Sequence, residues 1–261
     1  MKRKIFKWLF PTMSILFWIG VWWVVAALFA KPLLLPTPVA TIAALGKLAL
    51  TKAFYTSILT SLARILLGIL LALLGGTLLA FLTVKSKFFH HLFSPILTFF
   101  KATPVAAIIF LLLLWLGRDN VPLFIAFMMG LPIVWSNVRE GLLQTDKGLL
   151  EMALVFRVPR RRVLTSITLP SLVPYFLAAA RSAISLAWKA GIAAEVLCRP
   201  KLTIGGQIYD SKEELLTDEL FAWTFVVVII SMLVEWLALF LLKRAQNRKT
   251  AANGTGKEGA N

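Results

Sequence analysis

The chain has 261 residues, of which 59% are hydrophobic and only 15% are charged, whereas soluble domains carry about a quarter of charged residues. Several apolar runs of about 20 residues, the length that crosses a bilayer, indicate a polytopic helical membrane protein rather than a β-barrel with alternating polar and apolar residues. The formal net charge of +16 is typical of basic cytoplasmic loops in membrane proteins and does not indicate a nucleic-acid partner.

The basic N-terminal segment, residues 1–8, precedes an apolar run from Leu9 to Ala30. This run is longer than the core of a signal peptide, and no small-residue cleavage site stands out, so the sequence predicts an uncleaved first span. Residues 38–55 are too polar to cross a membrane. We expect a loop there that contains one short amphipathic helix.

The second predicted span, residues 57–84, carries small side chains four positions apart on one helix face. In lipid, such a stripe lets a neighbouring helix approach closely and gain dispersion contacts. The residues expected to pack in this way are Gly68, Ala72 and Gly76.

The third predicted span, residues 88–117, is interrupted near its middle. Pro104 lacks a backbone N–H and is predicted to kink the helix. Lys101 lies a turn or two inside the cytoplasmic edge, where it either lines the inner gate of a path or extends its ammonium group to the interface. A tight turn around Gly117 leads to the fourth predicted span, residues 120–138.

The segment 139–170 is the one long polar stretch between two apolar runs. Apolar residues at helical spacing predict an amphipathic helix over residues 140–156. Pro159 suits the first turn of a second helix, and Pro170 is predicted to end that helix. Two short helices rooted in the fourth and fifth spans would form a rigid unit, which can transmit a displacement where a flexible loop cannot.

The fifth predicted span, residues 172–197, carries charged residues at membrane depth. A helix of this polarity has to face protein or water rather than lipid, and its charges indicate a path or a buried pair. Glu195 is expected near the external end of a path, while Arg181 is expected to extend to the interface. The candidate path residues of this helix are Trp188, Lys189 and Glu195. A second stripe of small residues favours helix packing and consists of Ala183, Ala187 and Gly191.

Residues 199–218 are predicted as an external loop whose acidic side chains either dock a partner or are only solvated. The sixth predicted span, residues 220–242, contains Glu235, for which we expect a structural role. The tail, residues 243–261, is basic and then rich in Ala, Asn and Gly, which is typical of disorder. The chain is therefore predicted to be an all-α membrane protein with one domain of six transmembrane helices over residues 9–242.

The distribution of basic residues predicts the orientation of these six spans. Lys and Arg outside the spans number 17 on the side that holds the termini and the segment 139–170, against 7 on the other side. Because cytoplasmic loops accumulate basic residues, both termini and the polar segment are predicted to be cytoplasmic.

The segment 139–170 resembles the EAA loop of the permeases of binding-protein-dependent ABC importers. The family pattern is approximately Glu-Ala-Ala, three residues, Gly, nine residues and Ile-x-Leu-Pro. The residues that match it at the right spacing are Glu151, Ala153, Ile167, Leu169 and Pro170. Met152 replaces the middle Ala of the pattern. Arg157 stands where the family has a Gly, which usually lets the chain turn between two coupling helices.

The resemblance extends over about residues 35–242 and is to the nitrate/sulfonate/taurine group of these permeases. Four short stretches of the chain are similar to stretches of that group: Leu-Pro-Thr-Pro, Thr-Ser-Leu-Ala-Arg, Lys-Ala-Thr-Pro and Leu-Trp-Leu-Gly. Trp188 together with Ala193, Ala194 and Glu195 is similar to that group too. In this chain the four stretches are residues 35–38, 60–64, 101–104 and 114–117.

The resemblance implies a transport subunit that is not an enzyme and binds no cofactor itself. It implies four kinds of partner: a second copy of the chain, two cytoplasmic ABC ATPase subunits that hold ATP and Mg²⁺, an external solute-binding protein, and the lipid bilayer. The helix around Glu151 would lie in a groove of the ATPase. The residues Arg160, Arg161 and Arg162 would contact acidic residues of the ATPase or bind lipid headgroups. The implied solute is a small organic anion such as a sulfonate, or nitrate, or a vitamin precursor.

Other functions make different demands on the sequence. A secondary transporter driven by an ion gradient could use Lys189 and Glu195, but it should show internal repeats, and none is visible. An intramembrane enzyme needs a nucleophile and a base, and Cys198 has no His on a neighbouring span. His90 and His91 are adjacent and point to different helix faces, so no metal site is expected. The chain has no Gly-x-x-x-x-Gly-Lys-Ser/Thr segment for binding a nucleotide.

Overall fold

The computed structural model describes residues 2–29 and 31–255, which form helices joined by short connections and contain no strand. The prediction of an all-α chain is confirmed. Met1, Ala30 and residues 256–261 lie outside the described residues, and with them the last residue of the first predicted span and the end of the predicted tail. In chain order the helices are α1 (Lys2–Phe29), α2 (Pro38–Ala49), α3 (Lys52–Lys85), α4 (Lys87–Ala102), α5 (Val105–Leu143), α6 (Lys147–Val155), α7 (Arg160–Val163), α8 (Leu169–Cys198), α9 (Ile204–Glu213) and α10 (Thr217–Thr255).

Five helical segments of the described chain are long and apolar enough to cross a membrane. They are Thr12–Phe29, Lys52–Lys85, Val105–Leu143, Arg160–Cys198 and Thr217–Phe240. The sequence predicts six spans, and the difference lies in α4 and α5. The third predicted span is divided between α4 and the first part of α5, and the rest of α5 carries the fourth.

Two breaks in the backbone explain this division. Gly117 has φ 69° and ψ 161°, a conformation that glycine adopts without steric cost, so α5 consists of two helical pieces. Thr103 and Pro104 are extended, with ψ of 132° and 125°. The predicted kink at Pro104 is therefore a full interruption, because a residue that precedes proline is disfavoured in the helical region.

The chain divides into two compact units, and the larger comprises residues 62–198 and 229–261. In this unit, the small-residue stripes of α3 and α8 both meet Gly130 of α5. A Cβ placed on Gly130 would lie 2.8 Å from the Cβ of Ala72, 3.8 Å from that of Ala183 and 3.9 Å from that of Ala187. Only a glycine fits at this crossing without moving a neighbouring helix.

Other residues of the two stripes lie equally close to their neighbours. A Cβ on Gly76 would fall 2.7 Å from the Cβ of Val134, and one on Gly68 would fall 2.9 Å from the Cβ of Ala126. Gly191 of α8 instead faces Ile65, with a built Cβ 2.9 Å from its Cγ1. The sequence pattern thus marks helix faces that approach one another closely.

The smaller unit comprises residues 1–61 and 199–228 and is rich in aromatic contacts. Trp22 of α1 stacks against Phe221 and Phe225 of α10, with ring centroids 6.0 and 5.6 Å apart. Phe54 packs on the buried Trp223 at 5.2 Å. Aromatic pairs at these distances add to the energy of burial and hold the unit together.

The predicted external loop, residues 199–218, contains the helix α9 (Ile204–Glu213), which the sequence analysis did not predict. Thr203 begins α9, since its hydroxyl accepts a hydrogen bond from the N–H of Gly206 at 3.0 Å. The N–H of Ile204 donates to the hydroxyl of Ser61 at 2.9 Å. The hydroxyls of Thr203 and Ser61 thus each satisfy an N–H donor that has no partner within the helix.

Candidate functional site

The polar segment between α5 and α8 begins with a break that the sequence analysis missed. The amphipathic helix predicted over residues 140–156 is two helices, because α5 ends at Leu143 and α6 starts at Lys147. The carboxylate of Asp146 accepts hydrogen bonds from the N–H groups of Gly148 and Leu149 at 2.8 and 3.2 Å. An aspartate at this position starts a new helix, since it satisfies free N–H groups and favours the positive helix end.

The end of α6 is closed by a hydrogen-bonded turn centred on Arg157. The N–H of Arg157 donates to the carbonyl of Leu154 at 3.0 Å, and the N–H of Val158 donates to the carbonyl of Ala153 at 2.9 Å. This pair of bonds is a Schellman motif, which places the residue after the helix in the left-handed conformation. Arg157 has φ 52°. It therefore occupies the family's glycine position with the backbone conformation that a glycine would adopt.

The last turn of α6 exposes apolar side chains. Ala153 is buried. Leu154, Val155 and Phe156 are 79%, 77% and 74% exposed. Met152 and Glu151 are also exposed. We define the coupling surface by its exposed members, which are Glu151, Met152, Leu154, Val155 and Phe156.

The second half of the segment is helical without interruption. A short helix, α7, is followed by a π-helical turn over Leu164–Thr168, and α8 begins directly at Leu169. The prediction that Pro170 ends a helix is wrong. Pro170 lies in the first turn of α8, immediately after the widened π-helical turn, where its missing N–H and its ring are tolerated. Ile167 is half-buried, while Leu169 and Pro170 are exposed.

The base of the segment is tightly packed at Gly141. A Cβ placed on Gly141 of α5 would lie 2.7 Å from the Cγ of Tyr175 on α8. This contact fixes the distance between the helices from which the polar segment emerges. The three consecutive arginines of α7, residues 160–162, are exposed and have no acidic partner in the described part of the chain.

The predicted path residues do not gather at one place. Trp188 and Glu195 are fully buried on the packed face of α8, and Lys189 lies on its exposed face. Lys101 is exposed at the end of α4, with its Nζ 6.0 Å from the ring centroid of Trp135. Two of the predicted path residues, Trp188 and Glu195, are therefore buried, while the other two, Lys189 and Lys101, are exposed cations.

Two ion pairs connect long apolar helices, and one of them joins Arg181, for which the sequence predicts an interfacial position, to Glu235, for which it predicts a structural role. The Nε of Arg181 donates to a carboxylate oxygen of Glu235 at 2.9 Å, linking α8 to α10. Arg64 donates to Asp119 at 3.0 Å. Opposite charges on two apolar helices are a signal of such pairing, but the sequence does not tell which helices are neighbours.

The start of the predicted external loop is organised by Arg199. Its guanidinium donates to Glu213 at 2.7 Å and to Asp210 at 3.2 Å, and lies 3.9 Å from the ring centroid of Tyr209. Desolvation opposes the charged form of Arg199, but the hydrogen bonds and charges of Asp210 and Glu213 outweigh it and raise its pKa. Two of the acidic residues of this region are therefore engaged within the chain itself.

Within the described residues, no three His, Cys, Asp or Glu side chains come together as a metal site.

Comparison with known proteins gives a consistent set of relatives. The family model described as "binding-protein-dependent transport system inner membrane component" matches residues 65–251. The chain is 24% identical over 254 residues to the Bacillus subtilis protein named as an aliphatic sulfonates transport permease, SsuC, which covers 97% of this chain and 92% of the relative. It is 28% identical over 232 residues to the Escherichia coli taurine transport system permease protein TauC, which covers 86% and 83%.

A third relative and a solved structure extend the comparison. The nitrate import permease protein NrtB of Synechococcus elongatus is 26% identical over 190 residues, covering 69% of this chain and 68% of that protein. The fold is similar to that in the crystal structure of an amino acid ABC transporter with histidines, with a TM-score of 0.60 and 17% identity. That match covers 78% of this chain and 97% of the other chain, and at this identity it concerns the fold alone.

Proposed function

This chain belongs to the family of binding-protein-dependent transport system inner membrane components, and we propose from that premise how its parts serve transport. It is an integral protein of the inner membrane and the permease subunit of an ATP-driven importer. It is not an enzyme, since ATP is hydrolysed by a separate subunit. A secondary transporter driven by an ion gradient is not favoured, because the relatives are ABC permeases.

We propose that the coupling surface docks on the cytoplasmic ATPase. The observation that carries this proposal is the run of apolar side chains from Leu154 to Phe156, each more than 70% exposed. Contiguous exposed apolar residues mark sites of protein–protein contact. Glu151, Met152 and Ala153 lie in the last two turns of α6 and Arg157 follows its end, so the surface overlaps the first half of the family motif. ATP and Mg²⁺ bind to the ATPase, and no cofactor binds to this chain.

The movement of the ATPase is transmitted through rigid elements. Asp146 fixes the start of α6 and the Schellman turn at Arg157 fixes its end. From Arg160 to Cys198 the chain is helical throughout. Ile167, Leu169 and Pro170 lie where the polar segment joins the long helix α8. A displacement of the coupling surface therefore reaches the membrane helix without passing through a flexible loop.

We further propose a dimer of this chain with the path between its two copies. Lys189, Ser182, Leu186 and Ala193 are exposed along one face of α8, and a charge at membrane depth does not face lipid. A second copy or a water-filled path satisfies that requirement. Trp188 and Glu195 would support this helix from its packed side, and Lys101 would lie near the inner gate.

Six crossings with cytoplasmic termini complete the proposal. The third crossing would consist of α4 with the first piece of α5, and the fourth would be the second piece of α5. The excess of Lys and Arg on one side, 17 against 7, supports this orientation. It places the coupling surface in the cytoplasm, where an ATPase is found, and α9 on the outside, where a solute-binding protein delivers the solute.

The solute is proposed to be a small anion. The relatives are named as permeases for aliphatic sulfonates, taurine, bicarbonate and nitrate. Each of these solutes carries a negatively charged oxygen group, and the exposed ammonium group of Lys189 has the complementary charge. The solute-binding protein, rather than this chain, would choose among such anions.

Uptake in a reconstituted system tests the function. The permease, the ATPase encoded beside it and the corresponding binding protein would be placed in liposomes and supplied with sulfonates, taurine, nitrate or bicarbonate. We expect uptake that requires ATP and the binding protein, is inhibited by vanadate and persists when ionophores collapse all ion gradients. Uptake that continues without the ATPase, or stops with the ionophores, contradicts the proposal.

A further inference from the structure

We propose that α2 lies in the interfacial layer of the membrane, on the side where α1 ends, with one face packed on the protein and the opposite face in contact with lipid. The choice of the outer leaflet rests on the proposed orientation. Contact with lipid requires only that α1 and α3 cross the membrane. This partner goes beyond the proposed function, which leaves α2 without a role.

The helix α2 has two faces of different exposure. Pro38, Thr41 and Ala44 are buried, and they share one face because residues three apart are neighbours on a helix surface. The other face is apolar and exposed, and three of its side chains, Val39, Ile42 and Leu50, are 59%, 68% and 89% exposed. We define the α2 outer face by its exposed members, which are Val39, Ile42, Ala43, Gly46 and Leu50.

The chain on both sides of α2 is tied to the start of α10. Before α2, the carbonyl of Leu33 accepts a hydrogen bond from the hydroxyl of Thr217 at 2.7 Å. After α2, the ring centroid of Phe54 lies 5.2 Å from that of Trp223. The apolar segment Thr217–Phe240 has 24 residues, about 36 Å of helix against about 30 Å of hydrocarbon. Its first turn therefore lies in the interfacial layer.

The helix α2 itself is held at the same level. Its Lys47 interacts electrostatically with Glu219, which lies in the first turn of α10. With 12 residues, α2 is about 18 Å long, which is too short to cross the hydrocarbon layer. An apolar helix that cannot cross the membrane, but lies beside the point where α10 enters it, brings its exposed side chains within reach of the acyl chains.

The residues that flank α2 are typical of the membrane interface. Lys31 and Lys52 stand on either side of the helix and are exposed. Tyr55 is 57% exposed, and tyrosine is enriched at the level of the headgroups. No Asp or Glu occurs in residues 31–56, so this part of the chain attracts anionic headgroups.

The composition of the α2 outer face favours lipid over a protein partner. A contiguous apolar face of this kind is uncommon in contact with water. Protein interfaces are enriched in aromatic residues, Met and Arg, whereas the α2 outer face consists of small and aliphatic side chains. Aliphatic side chains match acyl chains, which make no demand for directed polar contacts.

Electron paramagnetic resonance of the full chain tests the proposal in liposomes of phosphatidylethanolamine and phosphatidylglycerol. A nitroxide is attached to Ile42→Cys or Gly46→Cys, in a chain whose own cysteine is removed by Cys198→Ala. Collisions with oxygen, which concentrates in lipid, are compared with collisions with a nickel chelate, which stays in water. We expect an oxygen-to-nickel ratio several-fold above that in water, corresponding to a depth of about 5–10 Å at the boundary between headgroups and acyl chains.

Two reference positions calibrate the ratio. Glu214→Cys, at an exposed residue after α9, gives the value in water. Met232→Cys, at a side chain that is 69% exposed in the apolar segment of α10, gives the value in hydrocarbon. Gly46→Cys guards against loss of folding at Ile42, since a Cβ on Gly46 meets nothing within 4 Å. Melting temperatures measured on the same samples identify any variant that is not folded.

The outcomes decide between occupants. A ratio at Ile42 and Gly46 equal to that at Glu214 overturns the proposal, and a loss of nickel collisions on adding the solute-binding protein would then identify a protein partner. Few collisions with either reagent also overturn it, because a second copy of the chain then covers the face. These measurements need no ATPase and no transport. A chain that places α2 in lipid but supports no uptake would therefore contradict the proposed function alone.

Discussion

The N–H of Val158 donates to the carbonyl of Ala153 across the end of α6 at 2.9 Å, and this bond gives Arg157 a left-handed backbone. The turn between the two helices of the polar segment therefore survives the replacement of a glycine by an arginine. A non-glycine residue in this conformation costs about 1 kcal/mol, which the two hydrogen bonds of the motif offset.

Substitutions at Arg157 should follow the steric demands of this conformation. Arg157→Gly is expected to change the free energy of unfolding by less than about 1 kcal/mol, because glycine relieves the strain but has a more mobile unfolded state. Arg157→Val should destabilise the protein by about 1–2 kcal/mol, since a β-branched residue fits the left-handed region poorly. Thermal unfolding in detergent measures both. Arg161→Val, within helical backbone, is the matched control, and an equal effect there would exclude the steric explanation.

The coupling surface should be required for communication rather than for folding. Phe156→Asp places a charge in the exposed apolar turn and is expected to weaken ATPase binding about tenfold or more, as a desolvated charge would. Glu151→Lys should leave the permease folded but uncouple ATP hydrolysis from uptake. Co-purification with the ATPase and uptake per ATP hydrolysed measure these effects. Lys147→Glu, in the first turn of α6 outside the surface, serves as the control. Normal coupled uptake in both surface variants would remove the surface from the mechanism.

The crossing at Gly130 should tolerate no side chain. Gly130→Ala is expected to cost about 1–3 kcal/mol, because its Cβ would approach that of Ala72 to 2.8 Å. Gly46→Ala in α2, where a Cβ would meet nothing within 4 Å, should be neutral or stabilising by up to about 1 kcal/mol. Thermal unfolding compares the two. The double variant Gly130→Ala, Ala72→Gly should recover stability, and no recovery would show that the crowding lies elsewhere.

The pair formed by Arg181 and Glu235 should couple α8 to α10. Removal of one partner in Arg181→Gln leaves Glu235 in an apolar span and should destabilise the protein by about 2 kcal/mol, less than a fully buried charge would. The exchanged variant, Arg181→Glu with Glu235→Arg, should recover more than half of the loss. A double-mutant cycle on melting temperature measures the coupling. Additive effects of the single variants would mean that the two charges do not interact.

The charge of Lys189 should matter for transport and not for stability. Lys189→Gln is expected to reduce anion uptake about tenfold, corresponding to about 1.4 kcal/mol of lost attraction, while Lys189→Arg retains most of it. Uptake in liposomes and the melting temperature separate transport from folding. Lys201→Gln, an exposed lysine after α8, is the control. Unchanged uptake in Lys189→Gln would remove this residue from the path.

The sequence predicts helix faces and motifs better than it predicts which helices are adjacent and where each helix ends. The spacing of Gly68, Ala72 and Gly76 defines one helix face, because small residues four apart lie above one another. No periodicity shows that Gly130, on a helix between two prolines, is where that face meets the stripe of α8. The pairing of Arg181 with Glu235 was missed for the same reason, since it depends on which helices are adjacent.

The predicted helix boundaries in the polar segment are wrong where local chemistry outweighs the apolar pattern. The apolar residues of 140–156 have a helical period, yet the carboxylate of Asp146 starts a new helix within that stretch. Pro170 is commonly a helix terminator, but here it follows a widened turn that accepts it. The residues of the family motif lie on α6, in the π-helical turn and at the start of α8, and one of them, Ala153, is buried, which their spacing alone does not show.

The π-helical turn over Leu164–Thr168 has a consequence for how the chain tolerates change. The N–H of Leu169 donates a hydrogen bond to the carbonyl of Leu164. This turn therefore contains one residue more than an α-helical turn does. Removing a single residue there would let the helix close in the ordinary way and swing α7 by about 100° around the helix axis. The direction in which Arg160, Arg161 and Arg162 point therefore depends on the presence of one additional residue in the π-helical turn, independently of any side chain that contacts a partner.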